Sequence, residues 1–149
     1  MKTLILGMGN PILSDDGVGL FIARKLQGRL KGVDVVTTAM VGLNILDLII
    51  GYEKIFLIDA SIAKGKRIGQ LTKFEEEGGT LHLFSSHGLD FFSLLKLGKV
   101  LGCKMPQVAG IYGIEIGDAV SFSQELSPEL KEKTESITEK IIEDIRSSL

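Results

Sequence analysis

The stretch Thr3-Leu4-Ile5-Leu6-Gly7-Met8-Gly9-Asn10-Pro11 decides the fold class. Thr3 to Met8 is a short apolar run with the length and Leu/Ile content of a buried strand, and Gly9-Asn10-Pro11 closes it with a turn. Val18, Phe21, Ile22 and Leu26 then recur at helical spacing, which predicts a helix from near Asp15/Asp16 to about Leu30. Outward from this strand-turn-helix unit the alternation repeats. A β-branched run predicts a strand at Val33 to Thr38, and a short helix follows over about Leu43 to Ile50. Lys54 to Asp59 reads as a central strand buried on both faces, and Gln70 to Phe74 as a fourth strand. Between Phe74 and the next element lies an acidic, Gly-rich turn at Glu75 to Gly79, read as solvated. A helix from near Ser86-His87 to about Leu101 precedes a strand over Gln107 to Glu115. Ser127-Pro128-Glu129 supplies an N-cap, a first-turn proline and a first-turn acid for a last helix whose buried stripe is Ile137, Ile141, Ile142 and Ile145. Strands alternating with helices predict an α/β protein: one three-layer domain over 1–149, with a mostly parallel five-stranded sheet flanked by helices.

Composition narrows the function. The 149 residues are enough for one core, and 44% hydrophobic with 24% charged residues excludes a disordered chain. A net charge of −2 with no tryptophan argues against nucleic acid and anionic membranes as partners. The single cysteine, Cys103, excludes a disulfide framework, and two histidines, His82 and His87, exclude a three-histidine metal site within one chain. The apolar N-terminus stops too soon for a signal peptide, and no apolar run is long enough to span a bilayer, so a cytoplasmic location is expected.

Four features carry candidate chemistry. Gly7-Met8-Gly9-Asn10-Pro11 suggests a dinucleotide turn, but the third glycine would fall at Ile12, and Asp15 and Asp16 stand where a pyrophosphate needs backbone N–H groups. Asp15-Asp16-Gly17 is either a helix start, with Asp15 as N-cap and Asp16 in the first turn, or a source of one ligand or general base. Asp59 ends a central apolar strand, where α/β sheets bind ligands; its ordinary alternative is a turn-forming aspartate in Asp59-Ala60-Ser61. His87, in Ser85-Ser86-His87-Gly88, is undecided by its own neighbourhood, and His82 reads as surface or structural. Asp16, Asp59 and His87 come from separate strand-to-helix connections. Converging on one sheet edge, two carboxylates and an imidazole suit a divalent transition metal with open positions.

The pattern Gly7-x-Gly9-Asn10, Asp15-Asp16-Gly17-x-Gly19, then Ile58-Asp59-Ala60, Ser86-His87-Gly88-Leu89 and Leu126-Ser127-Pro128, resembles the hydrogenase maturation endopeptidases along essentially the whole chain. The resemblance implies a single α/β domain that removes a C-terminal extension from a nickel-iron hydrogenase large-subunit precursor once nickel is inserted. It maps the metal-facing residues onto Asp16, Asp59 and His87. Many members have Glu at the first position, so the shorter Asp16 draws the metal closer to the first helix or binds it less tightly. Where some members carry an acid after the second strand, this chain has Thr37-Thr38-Ala39-Met40-Val41-Gly42, which leaves that acid's role untransferred.

The expected mechanism uses nickel supplied by the substrate. Either the metal polarises the carbonyl or activates water, or Asp16 or Asp59 is the base toward water, and the sequence does not choose between these; zinc or cadmium can fill the site in vitro. Serine and cysteine catalysis are disfavoured, because no G-x-S-x-G elbow occurs and Cys103 has no histidine nearby in sequence. The alternatives are a self-sufficient metallopeptidase and a non-catalytic metal- or nucleotide-binding module. The expected partner is the large-subunit precursor, met by a monomer through the loops at 10–14, 41–44 and 61–69. Lys64, Lys66 and Arg67 are either charges for an acidic patch or, more commonly for such residues, a solvated loop, and Pro11-Ile12 is either an apolar contact or packed on the first helix.

Overall fold

The computed structural model describes residues 2–39, 43–63, 65–74, 90–117 and 121–149. Five strands form one sheet: β1 (Thr3–Met8), β2 (Val33–Thr38), β3 (Lys54–Ser61), β4 (Leu71–Phe74) and β5 (Gln107–Glu115). Their order is β2-β1-β3-β5-β4, parallel throughout except for the edge strand β4, which runs antiparallel to β5. Among the described residues four helices cover the sheet: α1 (Val18–Leu26), α2 (Asn44–Ile49), α3 (Phe91–Val100) and α4 (Pro128–Ser148).

The period-two alternation of the strands sorts two cores. Ile5, Phe56, Ile58, Tyr112 and Ile114 face α1 and α4, where Ile22, Leu26, Ile137, Ile141 and Ile145 meet them. Leu4, Leu6, Ile55, Leu57 and Ile111 face α2 and α3, against Ile45, Ile49, Phe91 and Leu94. The expected stripe of α4 is buried along its length. Strand β1 therefore serves both cores, as its unbroken apolar run requires. The chain leaves β1 toward β2 on one side and returns to β3 on the other. The switch point of the sheet, where α/β proteins bind ligands beyond the carboxyl ends of the strands, thus lies between β1 and β3.

Tight packing at this point explains the glycines. A Cβ on Gly19 would overlap the Met8 carbonyl oxygen and stand 2.6 Å from that of Ile58; one on Gly7 would stand 2.5 Å from Ala23 Cβ. Helix α1 thus lies directly on the backbone of β1 and β3, an approach only a residue without a side chain allows.

Some boundaries differ from the sequence reading. The segment expected to open the first helix is a 3-10 turn at Ser14–Gly17, and α1 ends at Leu26 because Gln27 turns extended and Gly28 takes a positive φ of 76°. Strand β3 runs on to Ser61, paired with Glu115, and β4 starts at Leu71. Helix α3 begins at Phe91: Asp90 is extended and accepts a hydrogen bond from the Ser93 N–H at 2.7 Å, closing the helix start, while Ser86-His87, where the sequence reading puts the start, lies outside the described residues. His82, His87 and the turn at 75–79 lie outside the described residues.

Candidate active site

Asp16 and Asp59 stand on the two strand ends that flank the switch point. Asp16 sits in the 3-10 turn after β1, and Asp59 near the carboxyl end of β3, and the turn packs against β3. Both are buried, Asp16 at 5% exposure and Asp59 at 0%. Asp16 Oδ2 accepts the Asn10 N–H at 3.0 Å, and Asp59 Oδ1 accepts the Ala60 N–H at 2.8 Å. The first bond holds Asp16 against the loop after β1, and the second holds Asp59 against the backbone of its own strand; the turn expected at Asp59-Ala60-Ser61 is the end of β3 instead. The first also consumes an N–H that a dinucleotide-binding turn would aim at phosphate, in keeping with the missing third glycine. The close approach of the turn is fixed by Gly9, where a Cβ would stand 2.5 Å from the Asp16 carbonyl oxygen.

Asp15 does something different from what its position suggests. It caps neither the 3-10 turn, whose N-cap Leu13 makes no side-chain bond, nor α1. Its buried carboxylate crosses to the start of α4 and accepts the Ser127 N–H at 2.6 Å and the Ser127 hydroxyl at 2.9 Å, with the Gly117 N–H at 3.4 Å. A carboxylate there meets the positive end of a long helix dipole. Ser127, expected to cap α4 through its hydroxyl, instead gives that hydroxyl to Asp15. The adjacent acids thus divide: Asp15 ties the turn to α4, and Asp16 remains at the sheet edge.

Among the described residues no three His, Cys, Asp or Glu side chains gather as a metal cluster. The third member of the expected trio, His87, lies outside those residues. Cys103 lies between α3 and β5, away from the carboxyl edge. The positive charge imagined for the partner surface is partly engaged: Lys66 donates to the Thr72 hydroxyl at 2.9 Å and lies over the Phe74 ring. Lys64 is outside the described residues. Ile12 is 48% exposed.

The hydrogenase maturation protease family model matches residues 21–144. The chain belongs to the hydrogenase maturation protease family. Membership makes it a hydrolase that cuts a peptide bond. No curated protein matches it by sequence. Among solved structures it is similar to the hydrogenase maturating endopeptidase HybD from E. coli, at 19% identity and a TM-score of 0.77, over 99% of this chain and 94% of that one. It is also similar to the [NiFe] hydrogenase maturation protease HybD from Thermococcus kodakarensis, at 27% identity and a TM-score of 0.65, over 97% of this chain and 99% of the other. The HycI protease from the same organism aligns at 23% identity with a TM-score of 0.71, over 95% and 90% of the two chains.

For a hydrogenase maturation protease, the sequence reading missed one acid at the same edge. Glu115, the last residue of β5, is 4% exposed. Its Oε1 accepts the Ser61 hydroxyl at 3.3 Å and its Oε2 the Ala63 N–H at 2.9 Å. The signal was available: Glu115 ends the apolar run Ile111-Tyr112-Gly113-Ile114 as Asp59 ends Ile55-Phe56-Leu57-Ile58. The positional argument made for one strand applies to its neighbour. Ser14 is a second miss; its φ of 48° makes it the only non-glycine with positive φ among the described residues, held by a bond from its N–H to the Ser123 carbonyl at 2.9 Å.

Proposed function

We propose that this hydrogenase maturation protease removes the C-terminal extension of a nickel-iron hydrogenase large-subunit precursor after nickel insertion, using the precursor's nickel as its recognition element. The observation that carries the reading is a pair of buried carboxylates, Asp16 and Asp59, on the strand ends flanking the switch point of a family member. Carboxylate oxygens with an imidazole nitrogen from His87 are a donor set suited to a divalent transition metal. The nickel belongs to the substrate. Asp16, Asp59 and His87 hold it, and this fixes the scissile bond beside the carboxylates, so that part of the barrier is met by orientation. Asp16 or Asp59 then takes the proton of the attacking water. The bonds from Asn10 and Ala60 keep the two carboxylates from turning away. Zinc or cadmium can occupy the same donors in vitro. The enzyme works as a monomer in the cytoplasm; no described helix is long and apolar enough to cross a membrane.

The test is a processing assay with the cognate precursor, with and without nickel, read by the precursor's mass. Loss of a C-terminal peptide from the nickel-loaded form alone is the expected result. Cleavage regardless of nickel would retain the protease and discard metal-directed recognition. Full processing by Asp16→Asn, Asp59→Asn and His87→Ala would sink the site assignment.

A further inference from the structure

Glu115 and Ile62 form a device at the site edge that the reaction above does not use. A glutamate this buried is rare unless paired, and among the described residues its carboxylate meets no cation, only the Ser61 hydroxyl and the Ala63 N–H. Ser61 is fixed a second time by its carbonyl, which accepts the Ile116 N–H at 3.1 Å. Both neighbours of Ile62 are thus anchored, yet the Ile62 side chain is 60% exposed. An apolar residue at 115 would continue the stripe of Ile111 on the same face of β5, without desolvating a charge. The carboxylate gives instead a rigid chain path just beyond Asp59, with an apolar side chain held out from it. Across the switch point the loop after β1 is built alike: the carbonyl of exposed Ile12 accepts the Ser123 N–H at 2.9 Å, beside Phe122, which is 84% exposed.

We propose that Glu115 is a positioning residue for the substrate: its buried carboxylate fixes Ser61 and Ala63 so that Ile62 contacts an apolar side chain of the precursor polypeptide beside the scissile bond. This rests on the reading that the substrate is the hydrogenase precursor. A contact held in place before binding loses little entropy on docking. It is made equally in the ground and transition states, so it acts on KM and not on kcat.

The experiment is steady-state cleavage of the nickel-loaded precursor by Ile62→Ser, Ile62→Leu, Glu115→Ala, Glu115→Gln and the Ile62→Ser/Glu115→Ala pair. Ile62→Ser should raise KM roughly tenfold with kcat unchanged, the scale of losing a partly buried isoleucine contact. Ile62→Leu should stay near wild type. Glu115→Ala should give the same KM rise, Glu115→Gln should restore it through an amide that serves the same two groups, and the pair should be no worse than either alone. An unchanged KM in Ile62→Ser overturns the inference, as does multiplication of the two effects or a fall in kcat alone for Glu115→Ala. Should Glu115→Ala not fold, the Ser and Leu variants of Ile62 with Glu115→Gln decide. A wild type unable to cleave the precursor overturns the reading and the inference together; a cleaving wild type with indifferent Ile62 variants overturns the inference alone.

Discussion

The two faces of the sheet use polar groups in opposite ways. On the α1/α4 face they are spent on one another: Asp15 binds Ser127, Tyr112 binds Asp144, and Lys25 of α1 and Arg29 just beyond it pair with Glu135 and Glu139 of α4. The α2/α3 face is built otherwise. Its strand alternation runs Ile55, Leu57 and then Asp59 on β3, and Ile111, Gly113 and then Glu115 on β5, so the apolar stripe turns acidic at the carboxyl edge. One face holds the molecule together, and the other carries carboxylates at the edge where the proposed reaction places the precursor. Substitutions on the first should therefore move stability, and those at the edge should move catalysis.

The sharpest test of that division is Asp59→Asn. The amide oxygen still accepts the Ala60 N–H, so the end of β3 keeps its shape. Precursor cleavage should fall by on the order of 10²–10⁴, the usual worth of a general base. The midpoint of thermal unfolding should barely move. A variant that loses stability in proportion to activity would make Asp59 a structural residue and collapse the distinction.

Gly19→Ala attacks the opposite term. The new methyl collides with the carbonyl oxygens of β1 and β3, neither of which belongs to a flexible side chain. The cost should exceed about 3 kcal/mol in urea unfolding, at the upper end for overpacking. A near-neutral result would mean that α1 can lift from the sheet, and that the glycines of the opening motif are not there for packing.

Asp15→Asn comes next. It should cost about 2 kcal/mol, because a buried charged acceptor serving Ser127 and Gly117 is replaced by a weaker one. Cleavage per folded molecule should remain near wild type. Adjacent Asp16→Asn should show the reverse pattern, which makes the pair a one-residue test of the whole comparison.

What the sequence revealed follows from the range of the interactions involved. Strands β1, β2 and β5 are legible to the residue: β1 and most of β5 because burial on both faces leaves apolar runs with glycine or polar stops, and the half-exposed edge strand β2 because of its β-branched run at Val35, Val36, Thr37 and Thr38. Asp16 and Asp59 are legible because a strand's carboxyl end is a local address. The partner of Asp15 is not, since Ser127 is 112 residues away and either residue alone reads as an ordinary cap. The clamp of Glu115 on Ser61 and Ala63 is hidden likewise: it depends on β5 lying beside β3, which no local pattern states. The 3-10 turn at Ser14–Gly17 escaped because helical periodicity cannot tell a tight turn from the first turn of an α-helix.

The smallest effect belongs to Tyr112, and it carries a sign that can be checked. The ring is buried against Phe56, and its hydroxyl donates to Asp144 Oδ2 at 2.5 Å. Burial first, and then that bond, push the phenol well above its ordinary range; the ion pair with Lys73, followed by the Tyr112 bond, holds the Asp144 carboxyl below its own. Tyr112→Phe should cost about 1 kcal/mol at neutral pH, the net worth of one hydrogen bond. The raised phenol contributes stability that is fully present below the unfolded tyrosine value of about 10 and is lost as pH rises toward the folded value. Above pH ~10 the unfolded wild type releases a proton that the folded form keeps, so wild-type stability should decline by about 1.4 kcal/mol per pH unit relative to Tyr112→Phe. The lowered carboxyl acts at the other end: its contribution is present above the unfolded aspartate value of about 3.9 and disappears as pH falls through the folded one. Urea unfolding of wild type, Tyr112→Phe and Asp144→Asn across both limits should show the wild-type advantage closing from each side. An advantage over Tyr112→Phe that persists unchanged above pH ~10 would mean that the folded phenol titrates as the unfolded one does, raised neither by burial nor by Asp144 in solution. The α1/α4 face would then owe its cohesion to apolar packing and not to the mutual pairing of its polar groups.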